Sequence, residues 1–185
     1  MANLLITGAG PNGITGRLLK EKLSSEFNIY SPGSKDLDLC DKIRVEEYVK
    51  KIRIDYIIHC ATFRDLSTPG RNLLDSNLRM FYNLASCSNI VDKVITLGSG
   101  AEYDKRNPIV NCTESNIGKS IPIDGYGFSK YIINEYVRKS ENIYNLRLFG
   151  TINEYERFTK NIISNFCAKT ALDIPLTIRQ DCRFS

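Results

Sequence analysis

Apolar residues along this chain switch repeatedly between two spacings. Short runs rich in β-branched and aromatic residues predict strands: Leu4-Leu5-Ile6-Thr7, Ile29-Tyr30, Tyr56-Ile57-Ile58-His59-Cys60, Val94-Ile95-Thr96-Leu97 and Tyr144-Asn145-Leu146-Arg147-Leu148. Between them the apolar positions recur at helical spacing. Ile14, Leu18, Leu19 and Leu23 make one stripe, and Val45, Tyr48, Val49 and Ile52 make another behind Asp41, a predicted N-cap. A third helix is expected from about residue 70 to 88, and a fourth carries Tyr126. A last strand is expected at Leu176-Thr177-Ile178. Strand and helix alternating in this way predict an α/β fold, a parallel sheet with helices on both faces. The irregular stretch from about 100 to 124, with Gly100, Asn107-Pro108, Gly118 and Pro122, is the expected place for substrate, because loops beyond strand carboxyl ends line the crevice of such sheets.

Composition narrows the class. A chain of 185 residues, 42% hydrophobic, is long enough to bury one core. Its 25 basic and 21 acidic residues are scattered without a basic run, so nothing prompts nucleic-acid binding. Six cysteines without a C-x-x-C pair read as buried reduced thiols, and one histidine, His59, leaves no metal cluster to expect. No apolar run approaches membrane-spanning length, and no charged leader precedes the first strand. A soluble cytoplasmic protein, with no membrane partner, is expected.

Two motifs carry chemistry. Tyr126-Gly127-Phe128-Ser129-Lys130 places a phenol and an ammonium one helical turn apart, with Cβ atoms roughly 5–6 Å from each other. An ammonium held there stabilises the phenolate, which makes Tyr126 a candidate acid/base; the alternative is an ordinary stacked surface pair. At the other end, the first strand runs into Thr7-Gly8-Ala9-Gly10-Pro11-Asn12-Gly13-Ile14-Thr15-Gly16 and then a helix. A glycine turn between strand and helix lets the backbone approach a pyrophosphate at the helix N-terminus.

Gly10-x-x-Gly13-x-x-Gly16, Tyr126-x-x-x-Lys130 and Ser99 on the loop before it together resemble the extended short-chain dehydrogenase/reductase family, more narrowly its NAD(P)-dependent nucleotide-sugar epimerases, dehydratases and reductases. The resemblance implies a Rossmann-like doubly wound sheet. It implies catalytic roles for Ser99, Tyr126 and Lys130, with Asn77 bracing the backbone of the site. It places the cofactor along Gly10, Asn12, Gly13, Gly16, Cys60, Ala61 and Lys130, with Asp38 and Leu39 at the adenine after a third strand. His59 then reads as structural. Ser31 and Lys35, with no acid at the end of the second strand, together with Arg17, favour NADP(H) over NAD(H). Asp36 is the nearby exception.

Ser34-Lys35-Asp36-Leu37-Asp38-Leu39-Cys40-Asp41 is similar to a segment of 4-keto-sugar reductases and epimerase-reductases, so reduction or epimerisation is expected ahead of dehydration. Only Glu102 offers the acid a dehydratase would need. Residues 1–170 are expected to form the cofactor domain. Residues 171–185 would begin a substrate region otherwise largely absent, as in a fragment of a longer protein. The resemblance also implies a homodimer through the helix at 70–88 and the helix carrying Tyr126, with Phe81, Tyr82, Tyr131 and Ile132 exposed. The rival reading is a dinucleotide-binding module or sensor without turnover.

Overall fold

The computed structural model describes residues 1–64, 72–107, 109–156, 158–159 and 161–177. In chain order the elements are β1 (Asn3–Thr7), α1 (Ile14–Lys22), β2 (Asn28–Tyr30), α2 (Lys42–Ile52), β3 (Tyr56–His59), α3 (Leu73–Ala85), β4 (Lys93–Ser99), α4 (Gly125–Val137), β5 (Ile143–Leu148) and α5 (Ile162–Ala171). Among the described residues the strands form one five-stranded sheet in the order β2-β1-β3-β4-β5, every pair parallel. Right-handed crossovers running outward in both directions from β1 put α1 on one face and α2, α3 and α4 on the other. The reversal of order between β1 and β3 leaves a crevice beyond their carboxyl ends.

Side-chain period decides the packing. Leu5, Ile57, Val94 and Ile143, on successive strands, join Val45 and Val49 of α2, Phe81 and Leu84 of α3 and Ile133 and Val137 of α4 in one buried cluster. Leu4 and Ile6 alternate to the opposite face and are also buried. On that face of the edge strand β5, Tyr144 and Leu146 stay exposed. Helices α2, α3 and α4 start where short polar side chains occupy free backbone N–H groups. Asp41 accepts from Arg44 N, Asn72 from Leu74 N and Asp75 N, and Asp124 from Gly127 N.

Several expectations are corrected. No strand precedes Asp38, because Gly33–Asp36 closes a turn there, Asp36 N and Leu37 N both donating to the Gly33 carbonyl. β3 is therefore Tyr56–His59. The third helix begins at Leu73 rather than about 70; residues 70 and 71 lie outside the described residues. Leu176 and Thr177 belong to no strand, and Ile178 lies outside the described residues. Of the described cysteines only Cys87 is buried, Cys40, Cys60 and Cys112 being half-buried and Cys167 exposed; all are free thiols. Phe81 is not a surface residue but one of the most buried side chains, edge-on to Tyr82 and Tyr136, with centroids 5.5 and 5.6 Å away. Among the described residues no helix is long and apolar enough to cross a membrane, and no group of three or more His, Cys, Asp or Glu is placed to hold a metal.

Candidate active site

The glycine turn leaves β1 with Gly8 at φ 71°, a conformation that favours glycine. Gly8 also packs against the chain leaving β3: a Cβ there would lie 2.6 Å from Ala61 N and 2.8 Å from the Cys60 carbonyl carbon. On the other side of Gly8 sit Gly13 and Gly16, whose missing Cβ atoms would fall 2.8 and 2.7 Å from the Gly8 carbonyl carbon. Gly10 faces open space, with nothing within 4 Å of a Cβ position. Helix α1 begins at Gly13 with no side-chain cap and no acid in its first turn. Its N–H groups are thus directed at a site that a negative group would suit. The sequence pattern singled out Gly10, Gly13 and Gly16; Gly8, which locks the turn to β3, was legible only as the residue directly after the strand.

Beside this turn, His59 and Thr7 form a buried pair, with Thr7 Oγ1 2.8 Å from His59 Nδ1. Ala61 N donates to the same hydroxyl at 3.2 Å, so Thr7 ties the imidazole to the chain leaving β3. Burial, with the Lys130 charge second, pushes His59 down to about 3. A buried, neutral ring bonded to Thr7 fits the structural reading of His59. Asn77 braces the next residues of the same connection. Its Oδ1 accepts from Phe63 N at 2.9 Å and its Nδ2 donates to the Phe63 and Leu73 carbonyls at 3.1 and 2.9 Å. Asn77→Ala is expected to cost about 2–3 kcal/mol in denaturant unfolding and to speed amide exchange at Phe63, because buried backbone groups lose their partner.

Ser99 ends β4 and caps the 3₁₀ turn Gly100–Glu102, its Oγ accepting from Ala101 N at 3.1 Å. The N-terminus of α4 docks on that turn. A Cβ on Gly127 would lie 2.6 Å from the Ala101 carbonyl oxygen, so the glycine after Tyr126 is what allows the approach. Lys130, 4% exposed, donates from Nζ to the Leu97 carbonyl at 2.7 Å and lies 5.9 Å from the Tyr126 ring centroid. Ser99, Tyr126 and Lys130 are thereby gathered at one corner of the carboxyl edge. Burial lowers Lys130 from its usual range to about 8, against the pull of Glu102. A second cation reaches the phenol from the β3 connection: Arg64 Cζ is 5.6 Å from the Tyr126 centroid. Nothing in the sequence marked Arg64.

The remaining expected cofactor residues are more dispersed. Ser31 follows β2, and Lys35 is exposed on the Gly33–Asp36 turn. The Asp36 carboxylate accepts from Gly33 N at 3.2 Å and so is turned back on its own turn. Asp38 Oδ1 accepts from Cys40 N at 3.0 Å, while the Leu39 side chain is packed in the core and its carbonyl accepts from Asn83. Asn12 lies exposed in the glycine turn. Arg17 stacks on Tyr155, Cζ 4.0 Å from the ring centroid, and the Tyr155 hydroxyl bonds Glu21. These three line an open groove of about 560 Å³ with Ala9, Phe27 and Ile29. Within the 100–124 stretch, both Asp104 carboxylate oxygens accept from Arg106, and Oδ2 accepts a 2.5 Å hydrogen bond from Ser120 Oγ, which ties the two ends of the stretch together.

A family model described as "NAD dependent epimerase/dehydratase family" matches residues 4–182. GDP-L-colitose synthase of Yersinia pseudotuberculosis is 26% identical over 176 residues, covering 85% of this chain and 54% of that protein. GDP-L-fucose synthase of Azorhizobium caulinodans is 30% identical over 152 residues, covering 75% and 48%. Among solved structures, dTDP-4-dehydrorhamnose reductase of Bacillus anthracis in complex with NADP superposes with a TM-score of 0.64 at 26% identity, covering 88% of this chain and 59% of that one. A GDP-L-fucose synthetase of Naegleria fowleri bound to NADP gives 0.73 at 20% identity, covering 92% and 58%. The chain spans about half the length of the curated relatives it matches. The parallel sheet, the glycine turn at its switch point and a family match over residues 4–182 agree, and the chain belongs to the NAD-dependent epimerase/dehydratase family.

Proposed function

We propose that the chain carries the cofactor half of an NADP(H)-dependent enzyme that reduces or epimerises a nucleotide-linked sugar, with Tyr126 moving the proton. The observation that carries this reading is the corner where Ser99, Tyr126 and Lys130 meet, beside the Gly8–Gly16 turn. The chain's residues fit a dinucleotide: the interlocked glycines leave no room for a Cβ, Gly10 is open, and the first turn of α1 is uncapped and free of acids. Gly10, Asn12, Gly13, Gly16, Cys60 and Ala61 would hold it. When bound, its nicotinamide supplies or accepts the hydride.

The chain's own side chains handle the proton and the orientation. Ser99 Oγ already accepts from Ala101 N, so its hydroxyl proton is free to be donated to the sugar oxygen. Tyr126, with Lys130 and Arg64 beside its ring, gives or takes the proton at that oxygen. Lys130 remains a cation near neutral pH, its value being about 8. Glu102, the one acid near Ser99, is fully buried and bonded to Arg147 and Asn145, which favours reduction or epimerisation over dehydration. NADP(H) is favoured because Lys35 is exposed and the Asp36 carboxylate is engaged by Gly33 N of its own turn, and two of the similar structures hold NADP.

Residues 1–170 would be the cofactor unit, with α5 at its end and the substrate region beginning after it. A homodimer would pair α3 and α4 through Tyr82 and Tyr136, which stack edge-on 5.3 Å apart at the surface, with the half-buried Tyr131 and Ile132 beside them.

Incubating the protein with NADPH and a panel of nucleotide-linked keto-sugars tests the reading. Tyr126→Phe is expected to lower turnover at least about a hundredfold, the usual worth of a positioned acid/base; equal rates would remove Tyr126 from the mechanism. The alternative, a binding module without turnover, is tested by the same experiment. Calorimetric NADPH binding without turnover of any sugar in the panel would support it.

A further inference from the structure

We propose that Glu102 is a positioning residue of this site: its buried carboxylate holds the backbone that carries Ser99 and serves as the countercharge to the Lys130 ammonium. The inference rests on the reading of Ser99 and Lys130 as site residues. Glu102 is 0% exposed, yet it comes from a 3₁₀ turn at the sheet edge. Oε1 accepts from Ser99 N at 2.9 Å and from Asn145 Nδ2 at 3.1 Å, and Oε2 accepts from Arg147 Nε at 2.7 Å. Arg147 is held in turn by Asn134 Oδ1 of α4 at 2.9 Å and by Glu114 at 2.8 Å. The same carboxylate thus joins β4, β5 and, through Arg147, the helix that bears Tyr126 and Lys130.

The space for it is made by a glycine. A Cβ on Gly98 would overlap Glu102 Oε1 and Asn145 Oδ1 and lie 2.8 Å from Asn145 Nδ2, so Gly98 leaves the space that these two side chains fill. Burying an ion pair is not in itself stabilising, since desolvation costs about what the attraction returns. An apolar residue in place of Glu102 alone would leave Ser99 N, Asn145 Nδ2 and the Arg147 guanidinium without this acceptor, and would supply no negative charge near Lys130. Lys130 Nζ is held on the Leu97 carbonyl and Glu102 Oε1 on the Ser99 N–H, two residues along β4, and the other groups around them are His59, Cys60 and Arg64 from the end of β3 and its connection, Tyr126 on α4 and the Arg147 guanidinium from β5, paired with Glu102. Of these, His59 is neutral, the Cys60 thiol is pushed up to about 12 and Arg64 is repulsive, which leaves Glu102 as the anion.

The direct test is NMR titration of Lys130 in protein carrying ¹³Cε-labelled lysine, with the resonance assigned through Lys130→Arg. In Glu102→Gln the Lys130 pKa is expected to fall by about one unit, a tenfold change in acidity, because removing the anion favours the neutral amine. A Glu102→Gln protein that folds and leaves the Lys130 titration unmoved overturns the inference. Should that variant not fold, Glu102→Asp keeps the carboxylate but draws it back by one methylene; a smaller fall in the same direction supports the inference, and no fall overturns it. In the active enzyme the alkaline limb of the pH profile moves down by the same amount, which a merely structural role would not produce. Failure of the proposed function is separate: it appears as wild-type protein that turns over no nucleotide sugar, whatever Lys130 does.

Discussion

Gly13→Ala is expected to cost about 5 kcal/mol, or to prevent the native turn from forming, and to lose dinucleotide affinity with it. The reason is that nothing nearby can yield. A Cβ on Gly13 would overlap the Gly8 carbonyl oxygen and sit 2.8 Å from its carbon, and both atoms are backbone. Gly8 cannot retreat, because on its far side it is already against Ala61 N and Cα, at 2.6 and 2.7 Å from its own Cβ position. Relief would have to come from separating β1 from β3 or from tilting α1, and either breaks a packed interface. Losses of this size belong to a short list of mechanisms, of which a backbone clash at a special conformation is one. In a chain of this length it corresponds to a drop in Tm of about 10–20 °C. Gly10→Ala is the control. With nothing within 4 Å of its Cβ position it is expected to melt within about 2 °C of the wild type. Equal melting of the two variants would show the turn to be differently built.

Acid is expected to unfold this protein earlier than its carboxylates alone would. His59 is held neutral, at about 3, whereas the same imidazole in the unfolded chain titrates at its ordinary 6.5. Between those values the unfolded state binds a proton that the folded state refuses, so stability falls as pH falls. Over pH 6.5 to 4 the loss is about 3 kcal/mol, at 1.36 kcal/mol per unit. Asp104 is also acid-sensitive: Arg106 and Ser120 hold its carboxyl well below the usual range, so its contribution disappears only as pH falls from its ordinary 3.8. Since His59 is the chain's one histidine, the slope above pH 4.5 identifies it. Denaturant unfolding at a series of pH values checks this. His59→Gln, less stable at pH 7 for loss of the Thr7 contact, is expected to lose most of the slope between pH 6.5 and 4.5. An unchanged slope in that variant would mean that another group carries it.

What could be read from the residues, and what could not, divides along a physical line. Strands β1, β3, β4 and β5 and helix α2 announce themselves because burial on a fixed face imposes a period, and Asp41 marks a helix start because its function is local. Tyr126 and Lys130 were visible for the same reason, one helical turn apart. Features that depend on chain segments meeting from far apart were not visible. Gly8 matters because Ala61 arrives against it, and Arg64 matters because the β3 connection leans over α4. Phe81 looked like a surface residue because α3 alone does not say that α4 will cover it. Glu102 was left without a direction because β4's alternation ends at Ser99, where the 3₁₀ turn swings the next side chains round into the space over Gly98. The strand expected before Asp38 fails on a local detail, the Gly33 turn that spends those residues' hydrogen bonds within the loop.

The sheet order has a consequence for how the chain comes together during synthesis. Starting from β1, every later strand is added to a free margin: β2 on one side, then β3, β4 and β5 in succession on the other. Among the described residues no strand has to wedge between two that are already paired, so assembly of this sheet can keep pace with the emerging polypeptide. The Gly8–Ala61 junction can close as soon as β3 has docked, while Ser99 and Tyr126 are still to be translated.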